Sequence, residues 1–143
     1  VDNRFLASLV GYNARRASLA LVSVFASAVQ DHPLKVVEFS MLSLIKANPG
    51  ITNSALCNTL GLLPPNAVGL IQALTHQRLD SKKPHHSDRR ASGLFATPQG
   101  QALAETLEAR IAEAERKHLG HLSAREQRQL IALLQKAYSP NRL

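Results

Sequence analysis

The alternation of apolar and polar residues predicts a chain built mainly from helices. Apolar residues recur at three- and four-residue spacing, the period of an α-helix, in residues 5–30, 36–47, 98–118 and from 124 onward. Residues 79–83 and 91–97 are shorter runs on either side of a turn-like PHHSD sequence, which indicates two strands. The pattern therefore predicts a mainly α fold with one small β-ribbon.

Between the second helix and the ribbon, the sequence predicts two short helices joined by a tight turn. Thr52 is of the type that caps a helix N-terminus, and Gly61 is of the type that ends a helix. Pro64 and Pro65 stand where the next helix would begin, because proline is tolerated in the first turn. Helix, turn, helix and basic ribbon is the outline of a winged helix-turn-helix, whose second helix enters the DNA major groove.

The predicted ribbon concentrates basic residues near its tip: Lys82, Lys83, His85, His86, Arg89 and Arg90. A narrow minor groove attracts inserted arginine, so an arginine at the tip of a ribbon has a mechanical use. The alternative is that these charges only solubilise an exposed hairpin. Because the basic run directly follows a helix-turn-helix pattern, DNA binding is the stronger interpretation.

Composition and charge narrow the class of protein. A chain of 143 residues with 45% hydrophobic residues is expected to form one domain that buries a core without disulfides. The net charge of +7 favours a polyanionic partner, either nucleic acid or an acidic membrane surface. The single cysteine suits a reducing compartment, and the longest apolar segment, residues 17–29, is too short to span a bilayer. We expect a soluble, cytoplasmic protein without a membrane partner, since the first residues also lack a signal-peptide layout.

From Leu34 to Gly100, the sequence resembles the MarR (multiple antibiotic resistance repressor) family of bacterial transcription regulators. The residues that carry the resemblance are Asn48-Pro49-Gly50, Leu60-Gly61, Asp88-Arg89-Arg90, Thr97 and Gly100. Flanking stretches agree with it: Gly11-Tyr12, Arg15-Arg16-Ala17 and Leu122-Ser123 through Leu134. The resemblance implies a winged helix-turn-helix with long N- and C-terminal dimerisation helices.

The resemblance also implies a homodimer. Residues 5–30 are apolar on more than one side, and such a helix needs a partner to cover its surplus apolar surface. In the family this helix pairs with the last helices across a two-fold axis. We therefore expect a single MarR-like domain over 1–143, with dimerisation helices in 1–33 and 101–143 and a DNA-binding lobe in 34–100.

Several residues are predicted to contact double-stranded DNA. The recognition helix is expected to expose Pro65, Asn66, Val68, Gly69 and Gln72. Asn66 and Gln72 can pair with adenine, and Val68 can touch a thymine methyl group. Backbone N–H groups at helix ends such as Thr52 and Asn53 can bind phosphate. The resemblance implies that Asp88 orients an arginine and that Arg90 enters the minor groove, with Arg89, His86, Lys82 and Lys83 completing the wing surface.

The recognition helix departs from the family pattern. Family members usually carry an arginine where Gly69 stands, and no lysine or arginine lies between Leu62 and Thr75. Phosphate and guanine contacts expected from this helix are therefore missing. This departure motivates an alternative hypothesis, a helical protein-interaction module that has lost sequence-specific DNA binding.

The family commonly senses small anionic or aromatic compounds in a cleft between the dimer helices and the DNA-binding lobe. Tyr12, Arg15 and Arg16 lie on the first helix and are the candidate ligand-binding residues. If Arg16 points into an apolar cleft, its guanidinium matches a carboxylate bidentately, and an aromatic carboxylate is the first effector to test. The alternative is that both arginines reach the surface or pair with an acid of the last helices.

Other chemistry is weakly represented. Cys57 has no basic neighbour in sequence and is expected to be an inert, partly buried thiol. His118 and His121 have a spacing that can hold zinc, but Gly120 between them spoils the helical geometry. No Ser-His-Asp order, phosphate loop or acidic cluster stands out, so we predict no enzymatic activity, no metal site and no cofactor. The leading hypothesis is a dimeric repressor that a small effector releases from a palindromic operator.

Overall fold

The computed structural model describes residues 1–84, 87 and 92–139. Within these residues the elements follow one another as α1 (Arg4–Ala7), α2 (Val10–Ala28), α3 (Val36–Ala47), β1 (Ile51–Thr52), α4 (Asn53–Leu60), α5 (Pro64–His76), β2 (Asp80–Pro84), β3 (Ser92–Ala96), α6 (Pro98–His118) and α7 (Ala124–Tyr138). The predicted mainly α fold with a small β-wing is confirmed. Across the described residues, none of the helices is both long and apolar enough to cross a membrane.

Three helices start at side chains of the types that cap helices, and one of these, Thr52, was predicted as a cap. The Thr52 hydroxyl accepts a hydrogen bond from the Ala55 N–H, and the Thr97 hydroxyl accepts one from the Gly100 N–H. Before α7, Ser123 and Glu126 form a reciprocal capping box. Each cap satisfies backbone donors that a helix start leaves unpaired, which explains why these boundaries are readable from sequence.

The single N-terminal helix predicted over residues 5–30 is wrong, because the chain breaks into α1 and α2 at Ser8 and Leu9. The Ser8 hydroxyl donates to the Phe5 carbonyl at 2.6 Å. The Asn13 amide donates to the carbonyls of Ala7 and Leu9, both at 2.8 Å. These side chains satisfy carbonyls that a continuous helix would have paired with its own backbone.

The wing is a three-stranded antiparallel sheet in the order β1-β3-β2. In β2 and β3, Asp80 pairs with Ala96 and Lys82 pairs with Leu94. Strand β2 begins one residue later than the sequence indicated, at Asp80, and β3 is described from Ser92 to Ala96. Ala91, where the second strand was predicted to begin, lies outside the described residues. The short strand β1 was not predicted, because two residues that pair with Leu94 and Gly93 leave no local pattern.

The core lies between α3, α4, α5, the sheet and α6, and is built mostly from leucine, isoleucine and alanine: Met41, Leu42, Ile45, Leu56, Ala67, Ile71, Leu74, Leu79, Leu94, Ala104 and Leu107 are all nearly inaccessible. In α4, Leu56 and Cys57 face this core, whereas Ala55 is exposed. Cys57 is 1% exposed, so its thiol is more deeply buried than expected.

Two polar links join α6 to the rest of the protomer. Glu108 of α6 accepts hydrogen bonds from Ser43 and Lys46 of α3, each at 2.6 Å. Arg110 of α6 donates to both carboxylate oxygens of Asp31, in the segment after α2, at 2.8 and 2.9 Å. Helix α6 therefore connects α3 to the segment that follows the long helix α2.

Candidate DNA-binding surface and effector clefts

One face of α5 is free of packing. The helix begins after Leu63 with Pro64 and Pro65 in its first turn, and no side chain caps it. On its inner face, Ala67, Ile71 and Leu74 are buried in the core. The outer face carries the five residues predicted to read bases: Pro65, Asn66, Val68, Gly69 and Gln72 are all exposed. Their positions span two turns of one helix side, as a helix lying in a groove requires. This surface offers amide and apolar contacts but no charge.

The end of α5 is fixed by a Schellman motif. The Leu79 N–H donates to the Leu74 carbonyl at 3.0 Å, and the Arg78 N–H donates to the Thr75 carbonyl at 2.9 Å. Arg78 occupies the left-handed position of this motif with φ of +58°, where glycine is the usual residue. The Thr97 hydroxyl then donates to the Arg78 carbonyl at 2.7 Å. The recognition helix therefore passes into the wing through a tightly bonded turn.

The described part of the wing presents two of the predicted basic residues. Lys82 and Lys83 are both exposed on β2. The Lys83 ammonium lies 5.1 Å from the centroid of the Phe95 ring on β3, a cation–π contact that orients it along the sheet. The other predicted wing contacts, His86, Asp88, Arg89 and Arg90, lie outside the described residues.

Thr52 and Asn53, predicted to bind phosphate, lie at the N-terminus of α4. The Thr52 side chain is occupied with its cap, and the Asn53 amide oxygen accepts the Cys57 thiol at 3.4 Å. Both residues are half-buried, so their side chains are poorly placed to reach far into solvent. Their backbone N–H groups and the helix dipole remain the features suited to phosphate.

Asp80 is a residue of this region that sequence reasoning missed. It is the first residue of β2, it is 3% exposed, and its carboxylate lies 2.7 Å from the Thr75 hydroxyl of α5. Burial raises the pKa of the Asp80 carboxyl above its ordinary value, and the Thr75 hydroxyl and the Lys82 ammonium oppose that shift by less. A strand that starts with an aspartate gives no sequence signal that its first residue is buried.

The predicted effector residues lie on α2. Arg16 donates to the Tyr12 hydroxyl at 3.3 Å, so these two side chains form a pair one helical turn apart. Arg15 and Arg16 are exposed, and neither is within ion-pair distance of an acid among the described residues. None of the three residues lines either of the clefts found beside α2.

Two open clefts flank α2. One, of about 580 Å³, lies between α2 and α6 and is lined mostly by alanine and serine, with Lys117 and His118 as its basic residues. The other, of about 390 Å³, lies between the C-terminal half of α2 and the start of α3. Its walls include Val22, Phe25, Val29 and Leu34, with His32 and Lys35 as the basic residues. The second cleft is the one placed between the N-terminal helix and the DNA-binding lobe.

His118 and His121 are not brought together with a third ligand. Within the part of the chain that the structure describes, no group of three or more His, Cys, Asp or Glu side chains has the geometry to hold a metal ion. His118 instead lines the cleft between α2 and α6.

We compared the sequence and the fold of this chain with those of known proteins. No family model matches the chain. The putative transcriptional regulatory protein for the hcr operon of Thauera aromatica is 29% identical over 135 residues, which cover 93% of this chain and 81% of that protein. A MarR-family transcriptional regulator from Rhodococcus sp. RHA1 shares the fold, with a TM-score of 0.84, 23% identity and coverage of 94% and 95% of the two chains.

The solved structures of the transcriptional repressor CouR are the most informative. CouR bound to a 23-mer DNA duplex has 31% identity and a TM-score of 0.86, over 96% of this chain and 98% of CouR. CouR bound to p-coumaroyl-CoA has 28% identity and a TM-score of 0.84, over 94% of each chain. The matched residues therefore include the helix-turn-helix, the wing strands and the long terminal helices. This chain belongs to the MarR family of winged helix-turn-helix transcription regulators.

Proposed function

We propose that the protein is a homodimeric transcriptional repressor that binds a palindromic operator in the cytoplasm and leaves it when a small aromatic or anionic effector binds. The exposed outer face of α5, joined through a fixed turn to a basic wing, is the observation that carries this proposal. It is supported by the likeness to CouR, a repressor with a DNA-bound structure at 31% identity. We infer that the chain works by binding alone and catalyses no reaction.

In the DNA complex, α5 lies in the major groove and the wing follows the adjacent backbone and minor groove. Asn66 and Gln72 offer amide groups to adenine, and Val68 offers an apolar contact to thymine. Lys82 and Lys83 neutralise phosphate, while the N-terminus of α4 directs backbone N–H groups at it. Because α5 has no cation, the wing carries most of the electrostatic attraction.

We propose that the effector occupies the cleft between α2 and α3. Apolar walls formed by Val22, Phe25 and Val29 suit an aromatic ring, and the Lys35 ammonium can meet an anionic group. Arg16, held by Tyr12, remains the second candidate for that anion, and it would reach the effector only if a second protomer placed it beside the cleft. Effector binding would favour a dimer whose recognition helices no longer match successive major grooves.

Two measurements test this function. The first is a salt-titrated binding assay with DNA from the protein's own promoter region. We expect Lys82→Ala to weaken binding to all sequences alike and to flatten the salt slope by about one unit, and Arg90→Ala to weaken operator binding by about 1–3 kcal/mol. Absence of a protected sequence at low salt would favour the alternative protein-interaction module.

The second measurement is release of operator DNA by p-coumarate and by p-coumaroyl-CoA. The two compounds share an aromatic ring, but p-coumarate has a free carboxylate where p-coumaroyl-CoA has a thioester. Release by the free acid that Lys35→Ala weakens, while Arg16→Ala does not, would place the carboxylate in the α2–α3 cleft. The reverse result would assign it to Arg16. Release by neither compound, nor by other aromatic acids, would contradict the proposed effector class.

A further inference from the structure

The carboxyl group of Asp80 is buried at the point where the recognition helix becomes the wing. Asp80 directly follows the Schellman motif that ends α5, and it pairs with Ala96 of β3. Its exposure is only 3%. Aspartate is rarely buried so completely unless its charge is paired, and no ion pair of Asp80 is present among the described residues.

The hydrogen bonds around Asp80 require a particular proton arrangement. The Thr75 hydroxyl oxygen lies 2.7 Å from Asp80 Oδ1 and 3.0 Å from the Ile71 carbonyl oxygen. A threonine hydroxyl has one proton, so it cannot donate to both oxygens. If Asp80 is ionised, one of these two contacts is between oxygens without a proton. If Asp80 is protonated, it donates to Thr75 and Thr75 donates to Ile71, which satisfies both.

The second carboxyl oxygen favours the same state. Asp80 Oδ2 is buried and has no hydrogen-bond partner among the described residues. Leaving a neutral carbonyl oxygen unpaired costs far less than leaving half of a buried carboxylate unpaired. Around the carboxyl, α5 presents the uncharged Thr75 and β3 presents Ala96, while Lys82 on β2 and Arg78 are exposed.

We propose that Asp80 is a positioning residue for DNA binding, and that its neutral acid form donates to Thr75 and fixes the first wing strand against the end of the recognition helix. This role rests on the proposed DNA-binding function. The link matters because the base-reading face of α5 and the phosphate-facing Lys82 can act together only if their spacing is held. Ionisation of Asp80 would remove the donor and place an unpaired charge between the two elements.

Asp80 also gives the stability a defined pH dependence. Because burial raises the pKa of this carboxyl above its value in the unfolded chain, the unfolded state loses the proton first as the pH rises. The free energy of unfolding therefore falls as the pH climbs from the unfolded pKa through the folded one. Lys82, the one described charge that lowers this pKa, reduces the size of the effect but keeps its sign.

Asp80→Asn and Asp80→Ala form the matched pair that tests the assignment on the full-length dimer. The amide can donate to Thr75 as the neutral acid does and cannot ionise, so Asp80→Asn should melt at a higher temperature than the wild type at pH 8. That gap should shrink as the pH falls toward 4. A ¹³C titration of the Asp80 carboxyl should show a pKa above that of an ordinary aspartate. A carboxyl that titrates at or below the ordinary value, or an Asp80→Asn variant that melts lower at pH 8, would overturn the proposal.

Operator binding supplies the readout that a purely structural role would not move. Asp80→Ala should weaken operator binding about threefold to tenfold, whereas Asp80→Asn should retain it and lose less affinity than the wild type as the pH rises through the raised pKa of the Asp80 carboxyl, which the ¹³C titration locates. Histidine titration is common to all variants and cancels in the comparison. Wild-type affinity in Asp80→Ala would refute the positioning role. If the wild type binds no DNA at all, the proposed function fails, while the melting and ¹³C results still decide whether Asp80 is the neutral acid that fixes the wing.

Discussion

Gly69 occupies the middle of the exposed face of α5, and a Cβ added there would meet no atom within 4 Å. Its φ is ordinary for a helix, so no backbone conformation requires glycine at this position. Glycine inside a helix costs about 1 kcal/mol relative to alanine. Neither packing nor backbone conformation within the chain therefore requires glycine at this position.

We expect Gly69→Ala and Gly69→Arg to separate helix stability from DNA contact. Both substitutions should raise the free energy of unfolding, by about 0.5–1 kcal/mol, because both remove the entropy cost of glycine. Only Gly69→Arg should tighten DNA binding at low salt and steepen the salt slope by about one unit, through a new phosphate contact. Denaturant unfolding and fluorescence anisotropy measure the two effects. Equal DNA affinity in the two variants would mean that this position does not face the DNA backbone.

Arg78 is strained by its place in the turn after α5. A non-glycine residue at φ of +58° costs about 1–2 kcal/mol, and its exposed side chain has no described hydrogen bond that offsets this cost. Arg78→Gly should therefore raise the free energy of unfolding by about 0.5–1 kcal/mol relative to Arg78→Ala, after the entropy cost of glycine is subtracted. Comparison with the alanine variant removes any effect of losing the charge. Equal melting temperatures for the two variants would contradict the strain.

Glu108 joins helix α6 to helix α3 through Ser43 and Lys46. Lys46 and then Ser43 lower the pKa of this carboxyl below its ordinary value. The carboxylate therefore stabilises the fold at neutral pH, and that contribution is lost as the pH falls through the lowered pKa. Because the side chain is 34% exposed, its worth is in the lower part of the range for charged hydrogen bonds.

We accordingly expect Glu108→Gln to lower the free energy of unfolding by about 1 kcal/mol at pH 7, and the difference to disappear in strong acid. Glu105→Gln is the control, since Glu105 lies on the same helix and is exposed. Urea unfolding at pH 7 and at pH 3 measures both. If the two variants lose the same stability at pH 7, the α3–α6 link does not contribute to the fold.

Elements whose ends are closed by local side chains could be predicted from the sequence. The caps at Thr52, Thr97 and Ser123 each bond a backbone N–H three residues further along the chain. Such a cap can therefore be recognised from the sequence without knowledge of the fold. The break after α1 escaped prediction because Asn13 reaches back six residues to Ala7, beyond the usual capping distance. Strand β1 escaped because its partner lies about forty residues away in sequence.

Of the candidate site, too, only part could be predicted from the sequence. The exposed face of α5 follows from helical period alone, since the core residues Ala67, Ile71 and Leu74 leave only one side free. Asp80 could not be predicted, because its burial depends on α5 and β3 closing over it. The clefts beside α2 likewise depend on how the helices pack, so the walls of a binding site could not be predicted from the sequence, although the arginines of α2 could be named.

Among the described residues, α7 and the α1–α2 segment each carry an apolar surface that packing within one copy of the chain does not cover. No residue of α7 is buried, although Leu130, Ile131, Leu133, Leu134 and Tyr138 all lie on it. Phe5, Leu6, Val10, Leu19 and Val22 are similarly exposed along α1 and α2. Apolar patches of this extent mark an interaction surface, and two terminal helical segments that each lack a partner fit the proposed homodimer.

Leu134→Glu should convert the dimer to protomers, because it places a charge in the apolar stripe that Leu134 shares with Leu130, Ile131 and Tyr138. Gln135→Glu adds the same charge to an exposed polar position of α7 and should leave the dimer intact. Light scattering after size exclusion measures the mass of each variant. Since a dimer holds two half-sites at once, operator affinity in Leu134→Glu should fall by at least about a hundredfold, while each lobe keeps its fold by circular dichroism. A Leu134→Glu protein that keeps the dimer mass would show that α7 is not part of the interface.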